Sequence, residues 1–315
     1  MTFADTAAPA LPAPPSSLGR PPGGARNGAL MAVASMLCVQ LGLGVSVPLL
    51  DRLGPVGTVW LRLVWAALLL LVLVRPRRSD FMRKDLVACA VLGVATAGLM
   101  VLFMCAVTRI PLGTASALEF LGPLGLALYG AAGGRRLWAL LAGAGVVLLT
   151  EPWHGGTDLV GVGFALAAAL CWAVYIAFTQ KVGDQVTGLK GLALSMPVAA
   201  IVTTFFAAPT EVGHVTWPLV LIGLALALLH PVLPFSLEFL ALRRLTTTAF
   251  GTLMSLEPAI AVAVGLVILG QVPGPASAFG VAFVVVAGVG ATRAGARSDL
   301  AKGENRENAG DAVIM

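Results

Sequence analysis

Ten apolar runs, most of them long enough to cross a bilayer, follow one another with only short polar loops between them. We place them at 28–50, 57–74, 86–107, 112–131, 137–151, 159–179, 190–208, 217–237, 247–269 and 276–292. A helix needs about 20 apolar residues to span a hydrocarbon core of about 30 Å. The runs therefore predict an all-α integral membrane protein with ten transmembrane helices. Composition agrees, with 58% of the 315 residues hydrophobic and only 11% charged, against about 25% charged in soluble domains. Mean hydropathy is +0.93. The fifth and tenth runs are short, and they hold matching places in the two halves of the chain.

The polar segments orient the chain. Residues 1–27, rich in Pro, Ala and Gly, read as a disordered cytoplasmic tail. Placing that tail inside puts Arg20, Arg26, Arg75, Arg77, Arg78, Arg83, Lys84, Arg135, Arg136, Lys181, Lys190, Arg243, Arg244, Arg293, Arg297, Lys302 and Arg306 on the cytoplasmic side. That is 17 of the 20 basic residues. Basic residues collect in cytoplasmic loops, so both termini, including the tail 293–315, are expected in the cytoplasm. Arg greatly outnumbers Lys, and Ala, Gly, Val and Leu dominate, a bias that suggests a GC-rich bacterial genome and makes a bacterial inner membrane the expected location. The formal charge of +5 lies in membrane-flanking loops and does not point to nucleic acid. Cys38, Cys89, Cys105 and Cys171 show neither metal spacing nor a disulfide framework.

One phrase is written twice, as Gly113–Glu119 and as Gly251–Glu257, and both read G-T-x-x-x-L-E. Each sits in an apolar run, with Pro123 or Pro258 close behind its glutamate. The two copies are five spans apart. An odd number of spans reverses direction in the membrane, so the copies run antiparallel. This predicts two inverted five-helix repeats, 28–151 and 159–292, the signature of secondary transporters whose binding site lies between the halves.

Glu119 and Glu257 are the first candidate site residues. A charged side chain costs about 3 kcal/mol at the centre of a span on the translocon scale, and intramembrane acids are functional by default. A glutamate that takes up and releases a proton can couple transport to protons, and both are candidates for that role as well as for substrate contact. Ala115, Ser116 and Gly122 beside Glu119 leave room for a ligand or for close helix contact. A structural glutamate paired with a neighbour is the alternative. Glu238, near the end of the eighth span and followed by Arg243 and Arg244, has the position of an interfacial acid. Arg62 is the one basic residue deep in a span; it forms a structural salt bridge, contacts a substrate carboxylate or snorkels outward. Trp172 and Tyr175, with Thr179 and Gln180, mark the sixth span as packing or as ligand wall, and Gln40 is a lone polar residue of the first. Pro231 and Pro234 withhold backbone donors from Ala227 and His230. The pairs Gly93/Ala97 and Ala287/Ala291 serve internal packing or a homodimer.

No metalloprotease, nucleophile-elbow or phosphate-loop pattern is present. Neither an enzyme motif, a cofactor motif nor a loop long enough to fold as a receptor domain can be found.

Several segments resemble the threonine/homoserine exporters of the EamA family, in the drug/metabolite transporter superfamily. They are Arg109–Gly113, Ala117–Leu124, Cys171–Ile176, Leu233–Glu238 and Phe250–Ala259. The resemblance spans about 28–292. It implies ten helices in two inverted repeats and export of small amino acids driven by the proton gradient. Glu119, Glu238, Glu257, Arg62, Trp172 and Tyr175 fall on matching positions. Two departures stand out: Gln271, where such transporters end the ninth span with Gly-Glu, and His230, which lies off the pattern. The superfamily also includes exporters of amphipathic drugs and other metabolites.

Overall fold

The structure, a computed structural model, describes residues 24–47, 50–77, 81–130, 135–151, 158–185, 189–211, 216–242, 245 and 247–293. The expected tails, apart from a few residues, and the loop residues Arg78, Arg243, Arg244, His154 and His214 lie outside them. Among the described residues all regular structure is helical. The helices are α1 (Gly24–Ser46), α2 (Leu50–Val74), α3 (Arg83–Val107), α4 (Leu112–Glu119), α5 (Leu121–Gly130), α6 (Arg135–Thr150), α7 (Leu159–Gln185), α8 (Lys190–Glu211), α9 (Trp217–Ala227), α10 (Leu233–Leu242), α11 (Thr247–Met254), α12 (Glu257–Leu269) and α13 (Pro275–Arg293). Counting helices that run on through a kink as one, eight are long and apolar enough to cross a membrane. The protein is an all-helical, multi-pass membrane protein.

Local chemistry explains where the helices break. Gly54 has φ 59°, a conformation that favours glycine, and Pro55 follows it; the helix predicted from residue 57 thus begins at Leu50, with a kink at Gly54. The fourth apolar run divides into α4 and α5 at Phe120, and Pro123 has no N–H to offer the Glu119 carbonyl. In the ninth run a turn at Ser255 and Leu256 separates α11 from α12. Both repeated glutamates therefore stand at a helix break: Glu119 closes α4 and Glu257 opens α12. Between α9 and α10, Leu228–Val232 widens into a π-helical turn, and His230 leaves the helical range (φ −158°, ψ 111°) where Pro231 withholds its donor. The predicted interruption of this span is present.

Helices of the two halves interleave. α1 packs on α10 and α12, α2 on α8 and α9, α3 on α7 and α8, and α4 on α12 and α7. Close approach depends on glycine at a few points. A Cβ on Gly122 would collide with the backbone carbonyl of Ala169 in α7, so the small residues near Glu119 serve helix contact here. Gly93 meets Ser195 and Val198 of α8 in the same way, and Ala287 and Ala291 are fully buried. Both small-residue pairs thus serve packing inside the chain.

Candidate functional site

A cavity of about 800 Å3 lies among these helices. Most of its wall is apolar, from residues such as Leu92, Met100 and Phe103. Its polar lining includes Glu119, Glu238, Glu257, Arg62, Tyr175 and His230. Residues separated by more than half the chain meet here because α1, α2, α4, α7, α10 and α12 converge.

The first helix orients two of the acids. Gln40 donates through Nε2 to Glu257 Oε1 at 3.3 Å. One and a half turns earlier, Ser35 Oγ lies 2.9 Å from Glu238 Oε1 and 3.1 Å from the Pro234 carbonyl, and its single proton serves one of them at a time. Five residues of α-helix rise about 7.5 Å, so α1 holds Glu238 and Glu257 at two depths. Glu119 lines the same cavity as Glu257 and Glu238. Glu119 and Glu257 are 9% and 6% exposed. Oε2 of Glu257 is buried without a hydrogen-bond partner among the described residues.

Arg62 is fully buried on α2 and lines the same cavity. Its Nε, Nη1 and Nη2 have no hydrogen-bond partner among the described residues. Of the alternatives the sequence leaves open, snorkelling and a structural salt bridge are therefore not what the described residues show. Trp65 turns elsewhere and donates to the Val220 carbonyl at 2.9 Å. Trp172 stacks edge-to-face on Phe120, with centroids 6.3 Å apart, so the residue after Glu119 forms part of the aromatic wall. Tyr175 and Thr179, one turn apart on α7, line the cavity with Glu238. The side chain of Gln180 lies outside the described residues.

All seven predicted site residues are drawn together: six line the cavity, and Gln40 reaches it through Glu257. Glu238, which its position made an interfacial acid, is one of the cavity carboxylates. Ser35 carried no signal in the sequence, because a serine in an apolar helix looks like any small residue. His230 had a signal, a lone histidine beside a proline, with no way to tell which side it faces.

Polar ties join helix ends away from the glutamates. Gln271 Oε1 accepts the N–H of Leu112 at 2.9 Å, joining the end of α12 to the start of α4. At that end Arg109 donates through Nη1 to Asp158 Oδ2 at 2.9 Å, and the other Asp158 oxygen accepts the N–H groups of Val160 and Gly161. These helix-start hydrogen bonds, with the guanidinium, hold the Asp158 carboxyl below the usual range.

A multi-pass helical protein with buried carboxylates around one central cavity has the build of a membrane carrier. Residues 159–292 match the EamA-like transporter family. The threonine/homoserine exporter RhtA of Escherichia coli K12 is 34% identical over 271 residues, 84% of this chain and 90% of that one. RhtA of Salmonella typhimurium LT2 is also 34% identical, with the same coverage. A solved crystal structure, 20% identical, shares the fold with a TM-score of 0.58 over 86% of this chain and 98% of its own. The chain belongs to the EamA-like transporter family, as its motifs suggested, and it is a transporter, not an enzyme.

Proposed function

We propose that the protein is a proton-coupled exporter of small neutral amino acids of the threonine and homoserine type, in a bacterial inner membrane. One observation carries this: three carboxylates, two of them buried, face one cavity in a chain that aligns over most of its length with threonine/homoserine exporters. Glu257 and Glu119 would exchange the proton, and Arg62, Gln40, Trp172, Tyr175 and Glu238 would surround the substrate.

The same reading takes the chain as ten spans in two inverted repeats, 28–151 and 159–292. Its support is the pattern of helix contacts. Numbering the apolar runs in order, the first packs on the eighth and the third on the sixth; the second packs on the seventh, and the fourth on the ninth. Exchanging the halves leaves this set of pairs unchanged, as a pseudo-twofold axis would. The basic loops put both termini in the cytoplasm. The cavity wall includes the ends of α7 and α13 and the start of α8, on that cytoplasmic side, so it would receive substrate from within.

The energetics are adequate. A proton entering down about 150 mV releases roughly 3.5 kcal/mol, from about 2.3 kcal/mol per 100 mV. At about 1.4 kcal/mol per tenfold, one proton sustains an outward gradient of a few hundredfold for a net-neutral substrate. Inverted vesicles energised by a proton gradient should take up labelled threonine or homoserine, and an uncoupler should stop them. Uptake of amphipathic cations with no amino-acid uptake would replace this substrate class with drug efflux.

A further inference from the structure

We infer that Arg62 and His230 together form a carboxylate-binding subsite, so that the transported molecule is held as a zwitterion with its carboxylate at this pair and its ammonium toward the glutamates. The inference rests on the transporter reading above and adds a residue that the family pattern does not contain.

Arg62 lies on α2 and His230 on the π-helical turn, two elements that pack together. Both residues line the cavity. All three guanidinium nitrogens and His230 Nδ1 are buried without a hydrogen-bond partner among the described residues. A buried guanidinium offers five N–H donors, and leaving a buried charge unpaired is strongly unfavourable. These donors are built for an anion that arrives from the cavity.

The backbone favours the same arrangement. Where His230 leaves the helix, α1 presents Gly42, and a Cβ on that glycine would come 3.1 Å from His230 Cβ. Gly42 lets the turn pack close against α1, two residues beyond Gln40. Arg62 forms no ion pair with Glu119, Glu238 or Glu257 among the described residues, although all four line one cavity. Unpaired charges of both signs on one wall match a zwitterion. A planar carboxylate fits the guanidinium fork. Three nearby carboxyls disfavour a dianion such as phosphate and favour an ammonium.

Calorimetric binding of threonine, threoninamide and lactate, each measured directly on the purified full-length protein, tests this. Threoninamide keeps the ammonium and lacks the carboxylate; lactate does the reverse. In the wild type, threoninamide should bind at least about tenfold more weakly than threonine. His230→Phe should weaken threonine at least about tenfold, about 1.4 kcal/mol, and leave threoninamide within twofold. His230→Asn, which keeps a donor near the Nδ1 position, should recover most of the loss. Arg62→Lys should weaken threonine more than threoninamide, and an unchanged Tm shows that each variant is folded. Equal losses for both ligands in His230→Phe, or no loss for either, would overturn the subsite, as would equal binding of threonine and threoninamide by the wild type. Those results leave amino-acid export standing. Lactate binding that depends on Arg62 and His230, with no threonine binding, would keep the subsite and remove the amino-acid reading. Binding of none of the three removes both.

Discussion

Gln40 and Glu257 meet at 3.3 Å although 217 positions separate them in the chain. The amide holds one carboxyl oxygen and leaves the other without a partner among the described residues. Glu257 is thereby fixed in orientation while one oxygen remains free to bind a proton or a substrate ammonium. It also opens α12, and the N-terminal end of a helix is where negative charge is best tolerated.

Glu257→Gln should abolish accumulation of labelled threonine against a gradient. Glutamine keeps the shape and can still meet Gln40, so the protein should insert and fold, and counterflow exchange should survive. Glu257→Asp should retain partial activity with a displaced pH profile. Proton-dependent accumulation by Glu257→Gln at the wild-type rate would make this carboxyl structural.

Gln271→Ala removes the acceptor that ties α12 to the Leu112 N–H. We expect a loss of about 1–3 kcal/mol, the range for a buried donor left unsatisfied, seen as a lower Tm in detergent. Gln271→Glu restores an acceptor and should recover most of it. Equal stability of Gln271→Ala and wild type would show that the tie contributes nothing.

Gly122→Ala sets a methyl group against the Ala169 carbonyl, a backbone atom that cannot swing aside. Overpacking of this kind costs about 1–3 kcal/mol, so Tm should fall and α5 should move from α7, carrying Phe120 and the cavity wall with it. Gly163→Ala is the control: a Cβ there meets nothing within 4 Å. Should the two variants be equally stable, the close approach of α5 to α7 is wrong.

Asp158 gives a pH signature outside the spans. The N–H groups of Gly161 and Val160 and the Arg109 guanidinium hold its carboxyl below the ordinary value of about 3.9. A depressed acid contributes its stabilisation fully above that ordinary value and loses it as pH falls through the folded one. The Tm difference between wild type and Asp158→Asn should therefore be present at neutral pH and shrink toward pH 3. A difference that does not change with pH would mean that charge plays no part in the tie.

The proposed orientation puts the C-terminus in the cytoplasm, so alkaline-phosphatase fusions after residue 293 should be inactive in intact cells. Strong activity there would reverse the orientation and turn the cavity toward the outside.

Hydropathy determined the all-helical, multi-pass class, because a backbone in lipid must satisfy its own hydrogen bonds and the apolar runs have helical length. The twice-written phrase singled out Glu119 and Glu257, because an acid in an apolar span stands out against its neighbours. Pro231 announced an interruption near His230, since a missing donor is a local property. Tertiary structure alone decided the partners. Ser35 meets Glu238 and Gln40 meets Glu257 only because α1 packs between α10 and α12, and in sequence each is one polar residue in an apolar run. Arg62 was open to three readings until its depth, and the want of an ion pair to it among the described residues, were known. His230 joined it only when the turn brought the ring to the cavity. Side-chain pairing across 200 residues depends on helix packing, and no local pattern encodes it.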